Sequence, residues 1–511
     1  MGDSSELYLW PDQPIDPDEL ALDDLERVRS RGELIERVNR IAHLLRDEFG
    51  LAAGDHAAML MGNRVEFVEL LLGSVLAGVR LTPINWHLTA GEASYIVDDC
   101  GAKVLFADPE FEATARGATN GPLVVAGTEL DAALAAQATD PYPLDGPSGA
   151  SMLYTSGTTG RPKGVRHARW GESVEHAVAR SVAVANALGL AHGGTHLVTG
   201  PLYHSAPLGY SIPSLHTGAA LVIQPRWDPE SMLRLIEERQ VRTMHMVPIM
   251  MVRSLRLPDE TKDSFDPSSL VTVLHGAAPV SPAVKAQMIE WWGEVLVEYW
   301  GSTEGGVFTL VGSHDWLTKP GTVGKAIATY EVFAVDADGA RLPPGEVGTL
   351  YTRNLATTEV FEYHGDKGKT DAAHLEPGVF TMGDVGWIDE DGYVFLSDRA
   401  ADMIISGGVN IYPMEIEQVF ISHPAVRDIA VFGIPDEEWG ESVKAAMEVA
   451  DGYTAGPELE SEILAWAREH MAGFKVPRSI DFVDQLPRHP TGKLYKRLLR
   501  DKYWNREGKF I

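Results

Sequence analysis

The sequence predicts an α/β protein: a large N-terminal domain of α/β-layered sheets with a small β-rich subdomain, followed by a smaller α+β C-terminal domain. Three observations carry this expectation. The chain has 511 residues, more than one ordinary hydrophobic core encloses, so two or more domains are the default. Strand-like and helical patterns alternate before Gly321, as they do where helices cover sheets. After Gly321 short β-like runs stand between Gly, Pro and Asp turns, and from Asp398 strands and helices mix again.

Taken in order, Leu34–Glu48 reads as an amphipathic helix and Glu66–Ala77 as a largely buried one, while Ala102–Ala107 and Leu123–Ala126 read as short strands. The β-rich part, about residues 321–397, is expected to hold strands at Val332–Val335, Gly348–Tyr351, Val379–Met382 and Tyr393–Leu396, with turns at Pro343–Gly345 and Asp389–Gly392. These complete a large domain over residues 1–397. The small domain, 398–511, places strands at Ile429–Phe432, Val443–Val449 and Ile480–Val483 around helices at Glu415–Ser422 and Glu458–His470, with a hinge near Asp398–Asp402. No repeat period or heptad seam runs through the chain.

Composition narrows the function classes. With 44% hydrophobic residues, 50 Gly and 31 Pro, the chain is neither collagenous nor extensively disordered. A net charge of −30, spread along the sequence, repels phosphodiester backbones, so nucleic acid is not an expected partner, and an anionic substrate needs a locally basic or backbone-lined site. Cys100 is the single cysteine, so no intrachain disulfide forms; a reducing compartment fits, and a buried apolar role suits it better than a nucleophile's. The N-terminus shows no secretory pattern, and the apolar run Phe67–Val79 is interrupted by Glu69 and falls short of a membrane span, so no transmembrane segment is expected. The expected location is the cytoplasm. Self-association into a homo-oligomer is left open.

The strongest chemical signal is the run Tyr154, Thr155, Ser156, Gly157, Thr158, Thr159, Gly160, Arg161, Pro162, Lys163, Gly164, directly after the apolar Met152 and Leu153. Hydroxyls, permissive glycines and one lysine suit a loop that wraps a polyphosphate; composition alone gives a flexible surface turn about equal standing. It is not the P-loop, whose lysine follows the second glycine at once. The run Gly368, Lys369, Thr370 mimics that pattern, but its first glycine would have to stand at position 363, which is Tyr363.

The run Tyr154–Gly164 resembles the phosphate loop of the adenylate-forming superfamily, which comprises acyl- and aryl-CoA synthetases, luciferases and peptide-synthetase adenylation domains. Further matches follow in that family's order: Pro201–Pro207 with His204; Gly276, Ala277, Ala278, Pro279; Gly301, Ser302, Thr303, Glu304; Gly321–Gly324; Gly383–Gly386 with Asp384; Asp398, Arg399 and Asp402; Ser406, Gly407, Gly408; and Pro487–Lys493. An ordered set over most of the chain is far more specific than any one motif.

The resemblance implies ATP, Mg2+ and coenzyme A as the bound groups, and a mobile C-terminal domain. It implies that Thr155–Gly160 and Lys163 hold phosphates and that Gly276–Pro279, Trp300 and Gly301 receive the nucleotide. Trp300 stands where the family commonly has tyrosine, and its flat ring can stack on adenine. Thr303 and Glu304 offer hard oxygens to Mg2+. An Asp in a glycine-flanked turn most often caps it; by resemblance Asp384 instead accepts from the ribose hydroxyls. Arg399 resembles the arginine at the domain junction that contacts nucleotide, a surface ion pair being the alternative. Gly407 and Gly408 resemble the glycines along the pantetheine tunnel.

Lys493 resembles the lysine that offsets charge on the carboxylate and α-phosphate as pyrophosphate departs. Arg488, Lys496, Arg497 and Arg500 nearby fit an ordinary solvated basic face, and the Gly492–Lys493 turn matched to the family's closing motif decides for function. His204, in an apolar stretch with no metal-type cluster, is expected to position or gate rather than transfer a proton. One departure is Ala401, at the position where the family commonly has Lys or Asp as hinge, followed by Asp402; either can absorb backbone rotation.

The implied activity is an ATP-dependent acid:CoA ligase: a carboxylate attacks the α-phosphate, pyrophosphate leaves, and a thiol converts the acyl-AMP to a thioester with release of AMP. The acyl pocket is expected from Leu208–Leu215, His245–Met251 and residues near Gly276 and Gly305. These segments are mainly apolar, which points to an apolar aliphatic or aromatic acid. Transfer to a carrier-protein thiol or an amine is the second reading. A non-catalytic nucleotide- or acyl-binding protein is the third, disfavoured because a pure binder has no use for Lys493.

Overall fold

The computed structural model describes residues 9–11, 16–155, 162–167, 171–399, 402–406, 409–436, 439–488 and 494–504; of Asp398, Arg399 and Asn410 it describes the backbone alone. The large N-terminal domain begins with a five-stranded sheet in the order Leu123–Val125, Ala102–Ala107, His56–Leu60, Arg80–Ile84, Ala150–Ser151, every neighbour parallel. The amphipathic pattern from Leu34 becomes the helix Arg31–His43, which continues as one wider turn over Leu44–Glu48. It starts where it does because Ser30 and Glu33 form a reciprocal capping box, which satisfies two backbone donors that the first turn leaves over.

The buried helix is Val65–Leu76, and it crosses Arg31–His43 so closely that a Cβ on Gly73 would lie 2.4 Å from the Ile41 side chain. Its two acidic residues, Glu66 and Glu69, are fully buried, a placement that requires partners. Arg29 and Arg37 each reach Glu69 at 2.7 Å, and Arg64 reaches Glu66 at 2.7 Å with Arg27 on its other side. The carboxylate that interrupts the apolar run is therefore the anchor of the N-terminal segment.

A second sheet, of fifteen strands, carries most of the rest of the large domain, and a separate three-stranded sheet completes it. Its parallel centre runs Ala219–Ile223, Gly194–Val198, Val241–Met246, Thr272–His275, Leu296–Ser302. Ala219–Ile223 is buried at every position, which is why it reads as an unbroken apolar run rather than an alternation. From Leu296–Ser302 onward the neighbours turn antiparallel, through Gly306–Gly312, Gly324–Ala326, Tyr393–Arg399, Asp384–Ile388 and Gly348–Asn354. The β-rich part thus extends the same sheet. Beneath the junction Lys285 and Glu298 form a buried ion pair at 2.6 Å; burial pushes the lysine pKa down and the carboxyl pKa up.

The smaller C-terminal domain has its own core, with Ile404, Ile416, Phe420, Val431, Ala445 and Ile463 among its buried members. Its sheet pairs Val426–Asp436 with Gly440–Val449, adds Ile480–Phe482 in parallel, and leans on the helices Pro413–Phe420 and Pro457–His470. Cys100 is buried, and burial pushes its thiol up to about 11, which keeps it protonated. Among the described residues no helix is long and apolar enough to cross a membrane.

Candidate active site

The expected site lies where a small sheet meets the fifteen-stranded one. A three-stranded sheet pairs Leu153–Thr155, Lys163–His167 and Phe361–Tyr363, so the two strands that flank the glycine- and hydroxyl-rich run lie antiparallel to each other. Thr155 stands opposite Lys163 across that pair. Ser156, Gly157, Thr158, Thr159 and Gly160 lie outside the described residues.

Lys163 pairs with Asp366, and its ammonium stands 5.7 Å from the centre of the Tyr363 ring. Burial works against the charged form, but the Asp366 and Lys369 side chains more than offset it, and the lysine pKa is raised. Tyr363 in turn donates from its hydroxyl to Glu304 Oε1 at 2.9 Å. Burial pushes the phenol pKa upward, with Glu304 adding to it, so Tyr363 stays a donor. One tyrosine therefore ties Lys163 to Glu304.

Glu304 and Thr303 follow a bulge at Trp300/Gly301 in the hairpin Leu296–Ser302/Gly306–Gly312. Only glycine fits at 301, because a Cβ there would lie 2.2 Å from the Gly306 carbonyl oxygen. Thr303 Oγ1 donates to Ser205 Oγ at 3.2 Å, which brings His204, the residue ahead of the helix Ser205–His216, to the same side. The His204 ring lies 4.2 Å from that of Tyr203, centre to centre. Tyr203 is buried, and burial pushes its phenol pKa up, with Tyr495 of the small domain near enough to add to the rise. Four expected positions, Lys163, Thr303, Glu304 and His204, are thus brought together by contacts through Tyr363 and Ser205.

The nucleotide positions form a second group. Trp300 donates from its indole nitrogen to Asp384 Oδ2 at 2.9 Å, with both side chains buried, and the ring packs edge-on against Phe308. Asp384 is in register with Arg399 across the neighbouring strand; the Arg399 side chain lies outside the described part. Gly276 ends the strand Thr272–His275 against Tyr299, where a Cβ would lie 2.6 Å from the Tyr299 carbonyl oxygen. The turn continues through Ala277, Ala278 and Pro279, and Ala277 adopts φ +64°, a left-handed conformation that an alanine holds only at a cost.

The donor set suits the groups it was expected to hold. Mg2+ takes hard oxygens and keeps water and substrate phosphates as ligands, so one carboxylate and one hydroxyl suffice. Glu304 and Thr303 supply them, and among the described residues no cluster of three or more His, Cys, Asp or Glu suggests another metal centre. Gly407, Gly408 and Lys493 lie outside the described residues. Their flanks are ordered: Ile404–Ser406 pairs with Val409–Ile411, and Arg488 bridges to Leu494.

The segments expected to line the acyl pocket are less apolar than the sequence suggests. Tyr210 and Tyr299 pack edge to face at 5.2 Å, and Tyr299 Oη is hydrogen-bonded to His245 Nε2 at 3.1 Å. Burial pushes the His245 pKa down to about 3, so the ring is neutral and its charge is unavailable to a substrate. Sequence reasoning gave no role to Tyr363, Asp366 or Tyr299, which belong to no motif it named, while Ser205, Tyr210 and His245 fall inside named segments without a role of their own.

The family profile described as AMP-binding enzyme matches residues 14–360, and that described as AMP-binding enzyme C-terminal domain matches residues 415–493. The chain is 35% identical over 483 residues to a feruloyl-CoA synthase of Amycolatopsis sp, covering 92% of this chain and 93% of that protein. It is 34% identical over 479 residues to the fatty acid–[acyl-carrier-protein] ligase ScoC of Streptomyces coeruleorubidus, covering 91% and 90%. Among solved structures, ATP-bound MatB from Rhodopseudomonas palustris superposes with a TM-score of 0.83 at 29% identity, covering 98% of this chain and 99% of that one.

Proposed function

Because the chain belongs to the AMP-binding enzyme family, we propose that the site just described activates a carboxylic acid as its acyl-AMP and passes the acyl group to coenzyme A. The observation that carries this reading is the Lys163–Tyr363–Glu304 chain beside the Trp300–Asp384 pair. It puts cationic and hard-oxygen groups next to an aromatic–carboxylate pair, as a nucleoside triphosphate requires.

In the first half-reaction a carboxylate oxygen attacks the α-phosphorus, the P–O bond to pyrophosphate breaks, and a mixed anhydride remains. The step asks the protein for alignment and charge neutralisation rather than a nucleophile. Lys163 faces the phosphates and Asp384 takes the ribose hydroxyls, while Trp300 offers its ring to the base and its indole N–H to Asp384. Glu304 and Thr303 would hold Mg2+, which would supply charge neutralisation at the triphosphate. Lys493 offsets the charge developing between carboxylate and α-phosphate, and His204 positions the acyl group. In the second half-reaction the thiol sulfur forms the C–S bond, the acyl C–O bond breaks, and AMP leaves.

The expected substrate is an apolar aliphatic or aromatic acid, since the neutral His245 and the packed tyrosines offer no charge to a second carboxylate. We take the large domain as residues 1–397, with its β-rich part about 321–397, and the small domain as 398–511, with Gly407 and Gly408 along the thiol's path. The cytoplasm, which supplies ATP and CoA, is the proposed location. Likeness to a carrier-protein ligase favours one second reading, transfer to a carrier thiol. Purified enzyme with ATP, Mg2+ and an acid panel decides between them. The expected result is a thioester with free CoA at a kcat/KM at least about tenfold above that with a phosphopantetheinyl carrier, a gap of about 1.4 kcal/mol. Acyl-carrier formed with no acyl-CoA would establish the second reading.

A further inference from the structure

One side chain of the large domain reaches into the small domain's backbone. Arg256 follows the helix Pro248–Leu255, which itself follows the strand that carries His245. Its Nη1 donates to the Arg427 carbonyl at 2.7 Å and its Nη2 to the Val426 carbonyl at 2.9 Å. A planar guanidinium that spans two successive carbonyls fixes an orientation, which a single point contact does not. Asp428 and Glu448 attract the guanidinium, while Arg427 and Arg253 repel it.

The two carbonyls open the strand Val426–Asp436, and the next residue, Asp428, continues the chain of contacts. Arg488 grips Asp428 with two donors, at 2.5 and 2.6 Å, the carboxylate being buried. Leu486 N donates to Glu448 at 2.7 Å. Arg488 also bridges to Leu494, and Tyr495 N donates to the Pro487 carbonyl at 2.8 Å. Tyr495 is near enough to Tyr203, the neighbour of His204, to add to the rise in its phenol pKa that burial causes. A run of directional contacts therefore leads from the end of an acyl-site helix, through Asp428 and Arg488, to the base of the segment that carries Lys493.

We propose that Arg256 is a positioning residue for the adenylation half-reaction: its grip on the Val426 and Arg427 carbonyls holds the small domain with Tyr495 near Tyr203, the arrangement in which the lysine of the closing motif acts. This rests on the reading of Lys493 given above. Capture of the adenylate by thiol has no need of that lysine and so no need of this seating. Arg256 touches neither substrate nor phosphate and acts only through the domain it holds.

The test compares Arg256→Ala and Arg256→Lys with the unaltered enzyme in two single-turnover assays, pyrophosphate release from acid and ATP, and thioester formation from preformed acyl-AMP and CoA. Arg256→Ala is expected to slow the first about tenfold or more, the effect of losing charge-assisted hydrogen bonds, and to leave the second within about twofold. Arg256→Lys keeps the charge without the two-pronged grip and is expected to fall between, again in the first assay alone. Should the alanine variant fold poorly by its thermal midpoint, the lysine variant carries the same comparison. Equal slowing of both half-reactions, or no slowing of either, overturns the proposal. Pyrophosphate release by the unaltered enzyme secures the reading of the site separately, so the ratio between the two assays tests Arg256 alone.

Discussion

Replacing Lys493 with alanine is expected to cut acyl-AMP formation about 10²–10³-fold, the usual loss when a preorganised donor to developing charge is removed. The physical reason is that the first transition state gathers negative charge where a carboxylate meets a phosphate, and a fixed ammonium is worth most there. The described residues that flank this position are held by the Arg488–Leu494 bridge and by Arg488 on Asp428. The variant enzyme, supplied with preformed acyl-AMP and CoA, is expected to keep most of its rate, because thiol attack expels AMP without a pyrophosphate leaving group. Parallel loss of both half-reactions would assign Lys493 a structural role.

The second large effect is expected at Asp384. Its Oδ2 already accepts from Trp300, and the carboxylate is buried beside the expected ribose position. Asp384→Ala removes a charged acceptor, worth about 1.5–3 kcal/mol per hydrogen bond, so KM for ATP should rise about 10- to 100-fold. The same change strands the buried Trp300 donor, a further cost of about 1–3 kcal/mol that appears as lower thermal stability. Asp384→Asn separates the two effects, because an amide oxygen still accepts from Trp300 but carries no charge. The ribose assignment is read with 2′,3′-dideoxy-ATP. The unaltered enzyme should discriminate strongly against it, and Asp384→Ala should scarcely discriminate. Undiminished discrimination by the variant would place the ribose elsewhere.

How much of this the sequence discloses depends on whether a feature is local. Ala102–Ala107 has the same bounds as a β-like run and as an observed strand, and Glu458–His470 differs from the helix Pro457–His470 by one residue. Periodicity and turn residues are local, so they survive in a single sequence. The phosphate-loop motif is equally local, though the sheet that flanks it is not, because the third strand, Phe361–Tyr363, comes from far along the chain.

The contacts that make the site are remote pairings. Tyr363 meets Glu304 across 59 residues, Trp300 meets Asp384 across 84, and Lys163 meets Asp366 across 203. No propensity or spacing rule connects such positions. Tyr363 stands out in the sequence only as the residue that spoils a P-loop pattern, and in the fold it is the link between two motifs. Glu69 shows the opposite failure. It looks like an interruption of an apolar run, because the arginines that neutralise it, Arg29 and Arg37, come from other elements.

The central claim is that this protein joins a carboxylate to AMP before any thiol takes part. Exchange of labelled pyrophosphate into ATP, with an acid panel, Mg2+ and no CoA, measures that step alone. The account predicts exchange that depends on at least one apolar or aromatic acid, with the acyl-AMP visible by mass. Thioester formation with ADP and phosphate as products, and no acid-dependent exchange, would contradict it.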